Sequence, residues 1–95
     1  MPALWISHVE VTDADRYAKY AVIAKEAIEA HGGRFIARGG RYQQMEGRDR
    51  PRNVVAHFPS FEDAVACYNS PRYAEALQFS KDSSERDVVI VETTE

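Results

Sequence analysis

The segment "DVVIVE" at residues 87–92 puts Val88 and Ile90 on one side of an extended chain and Val89 and Val91 on the other. "ALWISHVEV" at residues 3–11 does the same, with Leu4 and Ile6 set against Trp5 and Val9. No other feature restricts the fold as strongly. An antiparallel sheet with one wet face alternates apolar and polar residues, and these strands do not. Leaving about five such side chains in water forgoes roughly 10 kcal/mol, at about 1.5–3 kcal/mol each, which is comparable with the whole stability of a small domain. Both faces therefore need a cover.

The remaining chain says what covers one of them. After the first strand, "TDAD" offers Thr12 or Asp13 as a helix cap with Asp15 in the first turn. Tyr17, Tyr20, Ala21, Ala24, Ala27, Ile28 and His31 then recur at three- and four-residue steps, which predicts one amphipathic helix over about 13–31. Gly32 and Gly33 stop that helix and turn the chain into "RFIAR". Glycine pairs beside arginines invite a phosphate-loop reading, but such loops run from strand into helix, and here the order is helix, glycines, strand. Gly39 and Gly40 lie in chain expected to continue extended through "RYQQMEG", where glycine signals a bulge or a close backbone approach. With "RNVVAHF" as a third strand, residues 34–58 read as a long hairpin. Ser60 caps a short helix, and Ser70 with Pro71 restarts a second one. A polar "SKDSSER" loop precedes the last strand. The order is βαββαβ in a single domain over residues 1–95: an α+β, ferredoxin-like, four-stranded antiparallel sheet with helices on one face. The helices hide one face, and a second copy of the chain is the simplest cover for the other, giving a homodimer joined sheet to sheet.

Charge and cysteine usage narrow the partners. The formal net charge of −3 speaks against a general nucleic-acid binder. It is unevenly spread, however: residues 34–52 hold six arginines against Glu46 and Asp49, a local balance of +4. That stretch reads either as a solvated hairpin tip or as an anion-attracting rim. No apolar run reaches the roughly 18–20 residues of a membrane span, and the N-terminus has no basic export-type lead, so no membrane partner is expected. Cys67 stands alone, which rules out an internal disulfide and agrees with a cytoplasmic protein.

Spaced motifs across nearly the whole chain, "HVEVTDADRYAKY", "GGRFIARGG", "EGRDRPRNVV" and "FPSFEDAVACYNSPRY", resemble the domain-of-unknown-function 1330 family of the dimeric α/β-barrel superfamily. The resemblance implies a ferredoxin-like protomer whose dimer encloses a barrel-like space. The wider superfamily includes small monooxygenases, isomerases and haem-linked enzymes, but a shared fold is not a shared activity. Its pattern falls here on Asp13, Tyr17, Tyr20, the two glycine pairs, Arg38, Arg52, Tyr68 and Tyr73, among others. Two departures stand out: Cys67 where many relatives carry an aromatic, and His57 near a position acidic in relatives.

Candidate site residues follow. His8 and His57 lie on strands that this order makes central neighbours, and two imidazoles facing one pocket suit acid–base catalysis; the plainer reading is a pair of hydrogen-bonded core or edge histidines. No carboxylate stands beside them at ligand spacing, so neither a metal nor any other cofactor is assigned. Arg38, between "FIA" and a glycine pair, suits a carboxylate grip, against the alternative of an ion pair with Asp87 or Glu10. Trp5, Tyr68 and Tyr73 complete the ligand-binding candidates as aromatic walls, with core packing as their plainer role. Cys67, in a helix interior without an adjacent base, is not marked as a nucleophile. Three functions remain open: a small-molecule binding protein for an apolar or anionic ligand, a cofactor-independent enzyme acting on a small aromatic or lactone-like substrate, and, less favoured, a purely structural interaction module, since a dimer alone explains the apolar strands.

Overall fold

A computed structural model describes all residues from Met1 to Glu95. The chain runs β1 (Ala3–Val11), α1 (Ala14–Ala30), β2 (Arg34–Arg38), β3 (Arg52–Phe58), α2 (Phe61–Tyr68), α3 (Pro71–Ser80) and β4 (Ser84–Glu92). The strands form one antiparallel sheet in the order β2-β3-β1-β4, so the first and third strands are central, as the ferredoxin-like order requires.

Each helix starts where its side-chain chemistry dictates. The Asp13 carboxylate accepts from the Arg16 N–H at 3.2 Å, Ser60 Oγ from the Asp63 N–H at 3.1 Å, and Ser70 Oγ from the Tyr73 N–H at 3.3 Å. Pro71 opens α3, where its missing N–H costs nothing. At the other end of α1, Gly32 adopts φ +82°. Gly33 admits a close approach: a Cβ there would stand 2.6 Å from Ile28 Cγ2 and 2.8 Å from the Phe58 ring.

Three expectations need correction. The hairpin is not continuous strand from 34 to 58, because β2 ends at Arg38 and no regular structure forms over residues 39–51. The bulge falls between Phe35 and Ala37 rather than at the glycine pair. Gly39 turns the chain at φ +68°, a conformation that strains a residue bearing Cβ. The close approach there is by Arg52, whose Nη1 would lie 2.9 Å from a Cβ. The last strand also begins at Ser84, inside the stretch read as a polar loop, so Arg86 belongs to the sheet.

Alternation then divides the strands. Ala3, Trp5, Ser7 and Val9 of β1, with Val54, Ala56 and Phe58 of β3, are buried beneath the helices. Trp5 stacks on Phe58 at 5.9 Å and meets the edge of Tyr73 at 5.0 Å, forming the aromatic centre of the core. Leu4, Ile6, Val55, Val89 and Val91 take the opposite parity and face away from every helix. Val89 is 53% exposed and Val91 46%. No helix is long and apolar enough to cross a membrane.

Candidate functional site

The strand register builds the helix side of the sheet in rows. Val9 stands opposite Arg52 on one flank and Arg86 on the other. In the next row Arg38 stands opposite Val54, Val54 opposite Ser7, and Ser7 opposite Val88. Helix α1 lies across these rows, and between them opens a cleft lined by Trp5, Ser7, Tyr17, Tyr20, Ala21, Ala24, Ile28, Phe35, Arg38, Arg52 and Val54. Its enclosed volume is about 20 Å³, room for a single water, inside an envelope of about 350 Å³ that includes space open to solvent. The walls are apolar and aromatic, with two guanidinium groups and three hydroxyls among them.

Those guanidinium groups lack counter-charges. The five ion pairs of the chain engage Arg16, Lys25, Arg50 and Arg72; Arg38, Arg52 and Arg86 enter none. Arg38 lies over the Phe35 ring at 4.5 Å, and Arg52 is 6.0 Å from the Tyr17 ring with its Nε buried and unpartnered. Arg86 is better supplied, although its Nε too is buried without a partner. Its Nη2 donates to Tyr20 Oη at 3.0 Å and Tyr73 Oη at 2.9 Å, the two phenols lie 2.8 Å apart, and the guanidinium sits 4.5 Å above the Tyr20 ring. Burial raises the Tyr20, Tyr73 and Tyr17 phenols above their ordinary range even beside Arg86, so all three are neutral donors at physiological pH.

The predicted site residues divide between the two faces. Trp5, Tyr73 and Arg38 come together on the helix side: Trp5 and Arg38 line the cleft, and Tyr73 is buried behind Tyr20. Tyr68 packs on Trp5 at 5.7 Å and on Tyr73 at 5.1 Å, and faces a separate groove with Lys81 and Arg86. His8 and His57 take the other face. His8 is exposed, with Nδ1 2.6 Å from Asn53 Oδ1, and His57 stands opposite Leu4 and Arg34. Four residues of β1 separate His8 from Leu4, about 13 Å at strand rise, so the two imidazoles share a face but not a contact. Asp87, weighed as a partner for Arg38, instead accepts from Arg50 Nε at 3.0 Å. Burial pushes the Cys67 thiol up to about 11. No three His, Cys, Asp or Glu side chains cluster as metal ligands.

The sequence pattern of the family described as Domain of unknown function (DUF1330) matches residues 2–94. The chain belongs to the DUF1330 family. A comparison with curated proteins found no match. Among solved structures, this DUF1330 chain is similar to a protein of unknown function from Rhodopseudomonas palustris, at 17% identity and TM-score 0.78, covering 99% of this chain and 83% of that one. A dimeric ferredoxin-like protein of unknown function from Jannaschia sp. CCS1 matches at 14% identity and TM-score 0.74, over 98% of this chain and 100% of that one. SnoaB, a cofactor-independent oxygenase from Streptomyces nogalater, matches at 10% identity and TM-score 0.66, over 99% and 94%. At these identities the likeness is one of fold.

The residues that sequence reasoning left out of the site are Ser7, Tyr17, Tyr20, Arg52 and Arg86. Ser7 carried a signal, since a two-residue step from Trp5 puts it on the same side. Tyr17 and Tyr20 were absorbed into the apolar stripe of α1. Arg86 was hidden by the late start assigned to β4, and Arg52 by its place among six arginines.

Proposed function

We propose that this protein is a homodimer, joined through the open sheet face, that binds a small anionic molecule with an apolar body in the cleft beneath α1. The observation that carries the reading is the pair Arg38 and Arg52 in a mainly apolar cleft, Arg38 at its exposed rim and Arg52 half-buried, neither having a carboxylate of its own. A partly desolvated guanidinium such as that of Arg52 is stabilised by a planar anion that accepts two N–H bonds, and the aromatic walls suit a flat body. The dimer is supported by the apolar row Val55, Ile6 and Val89 and by the dimeric state stated for the Jannaschia protein. A single cysteine that cannot form a disulfide within the chain fits the expected cytoplasmic setting.

Binding is preferred to turnover because the cleft holds no His, Cys, Asp, Glu or Lys to act as base or nucleophile. The second reading, a cofactor-independent enzyme on an aromatic or lactone-like substrate, is favoured by the neutral phenol pair beneath Arg86. In that reading His8 and His57 act as proton carriers only for a substrate held between the two copies. Calorimetric titration with benzoate, benzamide and toluene tests the binding reading. Benzoate alone should bind, and Arg52→Met should weaken it at least tenfold. Equal binding of benzamide, or benzoate binding indifferent to Arg52, would refute the anion site.

A further inference from the structure

Resting on that reading, we infer that the cleft has a second, neutral polar end, formed by the hydroxyls of Ser7 and Tyr20, which selects ligands carrying an acceptor oxygen opposite their carboxylate. Ser7 lies in the central strand among Trp5, Val54 and Val88 and is only 4% exposed. Its hydroxyl finds no hydrogen-bond partner within the chain, yet it is not sealed away as the orphaned arginine nitrogens are, and it lines the cleft. A buried hydroxyl left without a partner destabilises a fold, so its retention in an apolar row calls for a partner that the chain itself does not supply.

Proton counting at Tyr20 points the same way. Arg86 donates to both phenol oxygens, and the contact between those oxygens consumes one of their two protons. The other phenol proton has no acceptor. Tyr73 is fully buried, whereas Tyr20 lines the cleft, so the arrangement that satisfies both has Tyr73 donating to Tyr20 and Tyr20 donating into the cleft. Arg86 behind them, with no carboxylate, favours partial negative charge on whatever accepts there.

The two ends are set apart by the sheet. Ser7 and Arg38 lie two strands from each other, about 10 Å between backbones, a span on the order of one ring with a polar group at each end. The ligand class is therefore a small carboxylic acid with a flat apolar body and a keto or hydroxyl oxygen at the far end. A site built to hydrogen-bond such an oxygen discriminates strongly against an isostere lacking it.

Titration of the wild-type protein with 4-hydroxybenzoate, benzoate and 4-methylbenzoate decides the matter, with Ser7→Ala and Tyr20→Phe as separate variants. The hydroxyl compound should bind at least tenfold more tightly than its methyl isostere, and each variant should cut that preference. Equal affinities in the wild type would overturn the polar end, with resident water serving Ser7, and would leave the arginine site standing. A preference that survives both substitutions would overturn the assignment to these two residues. Failure of all three acids to bind would sink the anion cleft and this inference with it.

Discussion

Val89→Asp is the substitution that most directly tests the assembly. Val89 stands opposite Ile6, whose other neighbour is Val55, so it lies midway along the edge strand β4 in the apolar row of the open face and is 53% exposed. Burying the exposed half of a valine contributes about 1 kcal/mol. A carboxylate placed there in a dimer must be desolvated without a partner, at a cost of at least about 2 kcal/mol. Two-fold symmetry repeats both terms, for a total of about 6 kcal/mol per dimer, or roughly four powers of ten in the dissociation constant. Light scattering on a gel-filtration column, run over a hundredfold dilution, should show the wild type at twice the 10.7 kDa chain mass and the variant at the chain mass. Val22→Asp is the control, because Val22 is exposed on α1, away from the sheet. A variant that stays dimeric over the same range, or a wild type at the chain mass throughout, would refute the sheet-to-sheet dimer.

Gly33→Ala should lower stability by about 1–3 kcal/mol, since its new methyl meets Ile28 and Phe58 in a packed core; at roughly 4–8 °C per kcal/mol the melting temperature falls measurably, and an unchanged melt would contradict the packing. Cys67 gives a pH signature. Burial holds its thiol near 11 against an ordinary 9.0, so the unfolded chain loses that proton first and stability declines as pH rises from 9 to 11, while below 9 the contribution is constant. Urea unfolding across that range should show a shallower decline in Cys67→Ala, and coincident slopes would refute the assignment.

The fold was legible because its signals are local. Caps at Asp13, Ser60 and Ser70, the apolar period of α1 and the glycine stop at Gly32 each follow from a few neighbouring residues, and each lies where expected. The two-sided strands gave the open face as well. What escaped was long-range. Arg38, Arg52 and Ser7 become neighbours only through strand register, which no local pattern states, and Arg86 reaches Tyr20 across 66 residues of chain. The paired histidines illustrate the same limit: adjacent strands brought them onto one face, but register set them about 13 Å apart. Strand ends were misjudged where polar residues continue a ladder, as Ser84, Glu85 and Arg86 do in β4.

The arginines flanking Val9 differ in a way that separates structural work from ligand work. A guanidinium drawn out of water destabilises the fold unless donors are matched by acceptors. Arg86 has two phenol oxygens and an aromatic face within hydrogen-bond or cation–π reach, so most of its cost is offset inside the chain. Arg52, in the same row and equally without a carboxylate, has the Tyr17 ring at 6.0 Å and the Tyr17 phenol as its polar neighbour, and its Nε is orphaned as that of Arg86 is. Compensation is therefore internal for the first and deferred for the second. Gly39 strengthens the contrast, because a side chain at that turn would crowd Arg52 Nη1, and its absence leaves the guanidinium at the cleft wall. Arg86 is the positioning residue that fixes the phenols, and in the proposed function Arg52 is the group that meets the anion. The same alternation that sends Ile6 and Val89 to the open face sends these arginines to the other, so the proposed assembly and the proposed recognition use opposite sides of one sheet.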